Sequence, residues 1–259
     1  MPADRVHTAI LVAVGEEFRA VLRRMRARCR PPAPSGPWTG TLAGKPVAVV
    51  RSGMGGPHAE SAARILLSSC EPTNMLIMGF CGGISEWAGP ADLVIAEYVM
   101  DWPGFPGTSD RDQPDRILHP DPVLAEVAAG LELADVRITS GGILSVGRLV
   151  STTTVKGYHG PRAARCRALD MESAAAAKVA EQAHVPWMVV RGVTDTLEED
   201  LPMPFEEYMR DDGDLDRRRI AAAAWTRPAL AAALIRLGRQ SMRAARNLAA
   251  FAERFVGAT

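Results

Sequence analysis

Three acidic residues stand at the ends of predicted strands or at the start of a predicted helix, and they are the first candidates for chemistry. Glu17 follows the run 8–14, Glu172 opens an alanine-rich segment, and Asp195 follows the run 187–194. The helix dipole favours a carboxylate in a first turn, which explains Glu17 or Glu172 without any function. An unpaired carboxylate at the end of a buried strand, such as Asp195, is costly. Two such carboxylates can serve as general acid and general base if their environments separate their pKa values.

Two glycine-rich turns join predicted strands to the segments that follow them. Residues 52–58 read SGMGGPH, and residues 79–83 read GFCGG. Such turns present backbone N–H groups to an anion or a hydroxyl-rich ligand, although a plain tight turn gives the same pattern. The GxGxxG spacing of a dinucleotide site is absent. Cys81 has no histidine nearby in sequence to activate it, so a small buried cysteine is favoured over a nucleophile.

Short apolar runs alternate with helical patterns along the chain, which is typical of an α/β fold. The predicted strands are 8–14, 46–52, 75–80, 92–99, 141–146 and 187–194. The predicted helices are 16–28, 57–70, 121–130 and 171–184, and the predicted irregular stretches are 30–38, 101–120 and 197–218. We expect a three-layer α/β/α single domain with a central mixed sheet. Ligands of open α/β sheets bind at the carboxyl ends of the strands, where the acidic residues and glycine-rich turns are predicted.

The C-terminal stretch 228–256 has the spacing of an amphipathic helix. Its apolar positions are Leu230, Leu234, Leu237, Ala245, Leu248 and Phe255, and its other side carries Arg236, Arg239, Arg243 and Arg246. We therefore divide the chain into a catalytic domain, 1–227, and a C-terminal amphipathic helical extension, 228–259. The usual interpretation is a helix packed on the domain with a solvated basic face. A helix lying on an anionic membrane and a dimer contact are the alternatives.

Composition argues against several classes of function. Thirty basic residues balance thirty acidic ones among 259, so nothing global indicates a nucleic-acid binder. Four scattered cysteines without a CxxC pair indicate neither a disulfide framework nor a zinc site. The N-terminal apolar run is too short for a membrane span and lacks a secretory cleavage region. We expect a cytoplasmic protein, free or peripheral to the inner membrane face.

Taken in order, six motifs resemble those of the nucleoside phosphorylase/nucleosidase superfamily, and most of all the 5'-methylthioadenosine/S-adenosylhomocysteine nucleosidases. They are AVGEEF (13–18), SGMGG (52–56), GFCGGIS (79–85), DLVIAEYV (92–99), ALDMESAA (168–175) and VVRGVTDT (189–196). The resemblance extends from about residue 8 to about residue 209. It implies hydrolysis of the N-glycosidic bond of a small-molecule purine nucleoside, a 5'-substituted adenosine, with release of adenine. It implies no metal and no organic cofactor.

The resemblance also assigns roles to individual residues. Glu17 would activate the attacking water, Glu172 would bind the ribose hydroxyls, and Asp195 would protonate or hydrogen-bond N7 of the purine. The implied substrate contacts are Met54 near the 5' end, Met171 on the sugar, backbone groups of Val150 at the base, and Phe80, Cys81 and Gly82 in the second glycine-rich turn. An oxocarbenium-like sugar in the transition state, as in glycoside hydrolysis, would be favoured by such carboxylates.

Water is favoured over phosphate as the nucleophile, because Ile77 and Phe80 stand where the phosphorylases have charged and hydroxyl side chains. Arg51, Arg148 and Arg191 remain available to hold phosphate, so a phosphate-dependent phosphorylase stays an alternative. A nucleoside-binding protein without catalysis is the alternative from another class.

The tail after about residue 210 is longer than in the usual nucleosidase. It resembles the ends of hopanoid-associated members, which act on adenosylhopane. This likeness implies a lipid-linked nucleoside as one type of substrate and a peripheral membrane contact through residues 228–256. The assemblies common in the superfamily imply a homodimer.

Overall fold

The computed structural model describes residues 4–31, 33, 35–104, 114–149, 165–196, 199 and 201–259. Its strands are β1 Asp4–Val12, β2 Arg26–Cys29, β3 Trp38–Leu42, β4 Lys45–Arg51, β5 Cys70–Gly83, β6 Leu93–Trp102, β7 Arg116–Leu118, β8 Ile138–Val146, β9 Cys166–Asp170 and β10 Trp187–Asp195. Its helices are α1 Gly15–Arg24, α2 Gly56–Ser69, α3 Pro122–Ala129, α4 Ser173–Gln182, α5 Arg217–Trp225 and α6 Pro228–Ala258, with a short 3-10 helix at Phe205–Tyr208. All six strands and all five helices predicted from the sequence are present.

The described strands form one mixed sheet, in agreement with the predicted fold class. β1 lies between β4 and β5 and is parallel to both. β5 is also parallel to β10, and the path through β10, β6, β8 and β9 returns to β5 at Gly82 and Gly83. Five strands therefore close into a ring, while β4, β3 and β2 continue from β1 to an open edge.

Helices cover both faces of this sheet and complete the three predicted layers. Buried side chains of α2 and α4 pack against one face, around Leu66, Ile77 and Val189. Buried side chains of α1, α3 and α6 pack against the other face, around Ile10, Leu76 and Phe251. The central strands are apolar on both faces for this reason, which is why they appear in the sequence as continuous apolar runs.

Several boundaries differ from the sequence prediction. The helix predicted at 16–28 ends at Arg24, because Met25 is extended and Arg26 begins a strand that pairs with β3. The strands β2, β3, β7 and β9 were not predicted. They are three to five residues long, too short to show a clear apolar pattern, and tertiary pairing holds them in the sheet.

The long helix α6 has two unlike halves. Its second half is part of the core, with Ala244, Ala245, Leu248, Ala249, Phe251, Ala252, Phe255 and Val256 buried. These buried side chains cannot reach a lipid surface, so the membrane contact predicted through residues 228–256 stays a prediction for the exposed first half of the helix alone. None of the described helices has the length and apolar content needed to cross a membrane. The division of the chain at residue 228 stays a prediction.

Candidate active site

The carboxylate of Glu17 is held in the interior where β1 passes into α1. Glu17 has no exposed surface, and its Oε2 accepts hydrogen bonds from the backbone N–H groups of Ala13 (2.8 Å) and Val14 (3.0 Å). Its Oε1 accepts the N–H of Phe80, at the end of β5, at 2.7 Å. Glu17 thus ties the ends of two neighbouring strands together, and its position in the first turn of α1 supplies part of that geometry.

Burial shifts the proton affinity of Glu17. Loss of water around the carboxylate raises its pKa to about 7, and the nearby charge of Glu172 adds to that shift. The hydrogen bond from Val14 and the positive charge of Arg191 oppose the shift without cancelling it. A carboxylate with this pKa gains and loses a proton near neutral pH, as a general base must.

A buried arginine contacts the acidic residues at the end of β9 and at the start of α4. Arg191, on β10, has no exposed surface, and its Nη2 lies 2.6 Å from Oδ2 of Asp170. Its Nη1 lies 3.3 Å from Oε2 of Glu172, and its Nε donates to Oγ of Ser173 at 3.0 Å. Although burial disfavours its charge, these carboxylates raise the pKa of Arg191. The guanidinium therefore keeps its charge and fixes the start of α4.

The guanidinium reaches the acidic residues only because position 79 has no side chain. A Cβ atom on Gly79 would lie 2.4 Å from Nη1 of Arg191 and 3.5 Å from Oε1 of Glu17. Arg191 is also the one buried cation among the described residues, whereas Glu17, Asp170 and Glu172 are three buried carboxylates around it. Because the carboxylates outnumber the guanidinium, the cluster favours a positively charged group bound beside it.

Glu172 links this cluster to the first glycine-rich turn. Its Oε1 accepts the N–H of Gly55 at 2.7 Å, beside Met54, while its other oxygen faces Arg191. Burial raises the pKa of Glu172, against the opposing effect of Arg191, and the charge of Asp170 raises it further. Met171 lies against the same turn, since its Cε is 3.8 Å from where a Cβ of Gly55 would stand. The structure brings Met54, Met171 and Glu172 together.

Asp195 ends β10 on the other side of the second glycine-rich turn. Its Oδ1 accepts the hydroxyl of Thr194 at 2.8 Å, and that hydroxyl also lies 3.2 Å from the carbonyl oxygen of Cys81. Asp195 pairs with Gly82 in the register of β10 and β5. Burial raises the pKa of Cys81 well above its ordinary value, so its side chain is a thiol and not a nucleophilic thiolate.

A segment after β10 packs over the first glycine-rich turn. The N–H of Met54 donates to the carbonyl oxygen of Gly213 at 3.0 Å, and Arg51 pairs with Asp214 at 2.5 Å. The turn accepts this close approach because Gly53 has a φ of 91° and no side chain. A Cβ at that position would lie 2.5 Å from the carbonyl oxygen of Asp212.

The structure places Glu17 beside Phe80, Glu172 beside Gly55 and Asp195 beside Gly82. Val150 lies outside the described residues. Sequence reasoning assigned no role to Asp170 or Ser173. It left Arg191 available for phosphate as an alternative, whereas the structure buries Arg191 among three polar partners. A charged residue inside the apolar run WMVVRGVT was the available signal, because a buried charge requires a partner. The described residues contain no cluster of side chains suited to a metal ion.

Comparison with known proteins places these features in a family. The family model described as "Phosphorylase superfamily" matches residues 7–231. A 5'-methylthioadenosine/S-adenosylhomocysteine nucleosidase of Shewanella oneidensis is 32% identical over 181 residues, which is 66% of this chain and 75% of that protein. The protein of the same name from Shewanella sediminis is 31% identical over 66% of this chain and 77% of its own length.

Solved structures show the same fold. The nucleosidase of Neisseria meningitidis, in complex with methylthio-immucillin-A, aligns with a TM-score of 0.73 at 20% identity, over 98% of this chain and 99% of that one. The nucleosidase of Colwellia psychrerythraea, in complex with adenine, aligns with a TM-score of 0.73 at 17% identity, over 99% of this chain and 97% of that one.

Proposed function

The chain belongs to the phosphorylase superfamily, and from that premise we propose that it is a purine nucleosidase. It hydrolyses the N-glycosidic bond of a 5'-substituted adenosine and releases adenine. The observation that carries the proposal is the buried carboxylate of Glu17, which lies near the charges of Glu172 and Arg191. Its pKa is raised to about 7. A base of that pKa is matched to taking a proton from water at neutral pH.

The proposed reaction uses two carboxylates in opposite roles. Glu17 removes a proton from water, the water oxygen bonds to C1' of the ribose, and the bond from C1' to N9 of the purine breaks. The electron pair of that bond goes to the purine, which accepts or shares a proton at N7 from Asp195. The ribose passes through an oxocarbenium-like state, whose positive charge the excess of buried carboxylates around Arg191 favours.

The remaining site residues position the nucleoside. Glu172 binds the ribose hydroxyls with the oxygen atoms that also face Gly55 and Arg191, and Met171 packs on the sugar. Met54 lies near the 5' end of the nucleoside, beside residues 212–214, which pack over the first glycine-rich turn. Phe80, Cys81, Gly82 and backbone groups of Val150 complete the base side of the proposed site.

Water rather than phosphate is the nucleophile in this proposal. Arg191, one of three arginines considered for phosphate, is held by Asp170 and Glu172. Arg51 pairs with Asp214 on the surface. A phosphate ion near Glu17 would also meet three buried carboxylates, which repel it.

The 5' group is of the methylthio, homocysteinyl or hopane type, the relatives being named for the first two. We further propose a homodimer in the cytoplasm. Size-exclusion chromatography with light scattering and fractionation of the producing cells test these two points.

Release of free adenine tests the proposed function. The substrates are methylthioadenosine, S-adenosylhomocysteine, adenosine, inosine and a 5'-alkyl adenosine, each with and without phosphate, with products separated by chromatography. Adenine release without phosphate supports the nucleosidase, and the preferred 5' group identifies the substrate class. Release only with phosphate would make the protein a phosphorylase, and tight binding without release would make it a binding protein.

A further inference from the structure

One of several stretches of the chain with basic but no acidic residues lies near the C-terminus, and residues 18–59 form another. Residues 217–252 contain no aspartate, glutamate or lysine, although the whole chain has a formal net charge of zero. The same residues contain eight arginines, all exposed: Arg217, Arg218, Arg219, Arg227, Arg236, Arg239, Arg243 and Arg246. We call the exposed side chains of residues 217–246, on α5 and α6, the arginine surface.

Large apolar side chains lie exposed among these arginines. Trp225, at the end of α5, is 89% exposed, and Ile235 and Met242 on α6 are 56% and 49% exposed. Ile235, Arg239, Met242 and Arg246 follow one another at intervals of three or four residues, so they share one face of the helix. The arginine surface thus alternates apolar and basic side chains.

Few of these arginines form ion pairs with the rest of the described protein. Arg217 pairs with Glu16, and Arg236 lies 3.9 Å from Glu199. Within the described parts of the chain, Arg239 and Arg243 form no ion pair with another side chain. Their charges are therefore free to meet a partner of opposite sign outside the chain.

We propose that the arginine surface docks the protein on an anionic membrane. An amphipathic helix binds the interface of a bilayer when its arginines meet acidic headgroups and its apolar side chains enter the acyl boundary. A symmetric contact with a second copy would place arginines opposite arginines, with no acid in residues 217–252 to compensate them. Nucleic acid would match the charge but would leave Ile235 and Met242 exposed to water.

The arginine surface adjoins the candidate active site. α5 begins shortly after Gly213, whose carbonyl oxygen accepts the N–H of Met54, and Arg217 pairs with Glu16 next to Glu17. Docking through α5 and α6 therefore holds the site close to the lipid headgroups. The inference rests on charge and exposure alone and does not depend on the proposed hydrolysis.

Vesicle flotation of the full chain tests the proposal. We expect the protein to float with vesicles of phosphatidylcholine mixed with phosphatidylglycerol, and not with phosphatidylcholine alone. High salt releases it, because salt screens the headgroup attraction. The double variant Arg239→Gln/Arg243→Gln weakens partitioning about 25-fold, at about fivefold for each arginine lost near the surface. Trp225→Ala also weakens partitioning, through the lost apolar anchor.

Matched controls separate the arginine surface from general basic charge. Arg23→Gln/Arg30→Gln removes two exposed arginines from a region without an exposed large apolar side chain, and Trp87→Ala removes another exposed tryptophan. Both control variants should float like the parent protein, and thermal melting should show that all variants are folded. The proposal is overturned if the parent protein does not float or if the controls lose as much binding. It is also overturned if Trp225→Ala only dissociates a dimer, or if the surface binds DNA and not vesicles.

Discussion

The candidate active site and the arginine surface both contain many charged side chains. In the site these side chains are buried and paired, whereas on the arginine surface most of them are exposed. In the site, Arg191 has no exposed surface and lies within hydrogen-bond distance of Asp170 and Glu172. On the arginine surface, exposed Arg239 and Arg243 have no acidic partner among the described residues. One region is closed by contacts within the chain, and the other is left open.

This difference shows what burial demands of a charged group. A buried charge loses its water and must find protein partners, so its geometry is fixed by the fold. An exposed charge stays hydrated without a partner in the protein, at little cost in stability, and it can bind a group outside the chain. Fixed geometry suits catalysis, whereas exposed charge suits reversible docking.

The largest expected effect is on turnover and lies at Asp195. Asp195→Asn keeps the shape of the side chain but cannot supply a proton, so adenine release should fall by about 10²–10⁴-fold. Binding of the nucleoside should persist, because the amide still forms hydrogen bonds. Release assays with isothermal titration of a substrate analogue measure the two effects separately. Unchanged turnover would remove Asp195 from the mechanism and leave the buried region without its acid.

The next effect concerns the two kinds of ion pair. Arg191→Met should lower the free energy of unfolding by about 3–5 kcal/mol, because it leaves Asp170 and Glu172 buried without their cation. Arg236→Met, which removes an arginine 3.9 Å from Glu199, should cost only about 0–1 kcal/mol. Urea denaturation measures both variants. Equal losses would contradict the division between a closed and an open region.

A smaller effect follows from the pKa of Glu17. The folded protein holds the proton of Glu17 up to about pH 7, whereas the unfolded chain releases it near pH 4.5. Stability from this group is therefore present at low pH and declines as pH rises through this window, by at most about 1.4 kcal/mol per unit. Activity should show the opposite trend, because the base must be ionised.

Denaturation and kcat/KM measured across this range test the pH prediction. In Glu17→Gln the slope of stability contributed by this carboxylate should disappear, and adenine release should be largely lost. If the variant kept both the slope and the turnover, Glu17 would be neither the titrating group nor the base.

The sequence was sufficient to predict the central sheet and its main helices. Residues 75–79 of β5 are buried on both faces of the sheet, so their apolar run appears directly in the chain. The short strands β2, β3 and β7 and the ring strand β9 were missed, because pairing partners such as Thr41 for Arg26 are distant in sequence. Local pattern cannot report a contact that only the folded chain creates.

The candidate site divides in the same way. Glu17, Glu172 and Asp195 could be proposed from the sequence because each stands at the end of an element, next to a glycine-rich turn or a helix start. The network that fixes Arg191 could not be found, since Ser173 and Asp170 meet it only across β9, β10 and α4. The missing information was the pairing of buried charges rather than their presence.

The smallest expected effect lies in the open region and sharpens the contrast within α6 and its neighbour. Trp225→Ala removes a large side chain that is 89% exposed, so the free energy of unfolding should change by less than about 0.5 kcal/mol. Phe251→Ala, in the buried half of α6, should cost about 3–5 kcal/mol by opening a cavity. Urea denaturation without lipid distinguishes them. A cost for Trp225→Ala near that of Phe251→Ala would mean that Trp225 packs within the protein in solution, and the arginine surface would lose its apolar anchor.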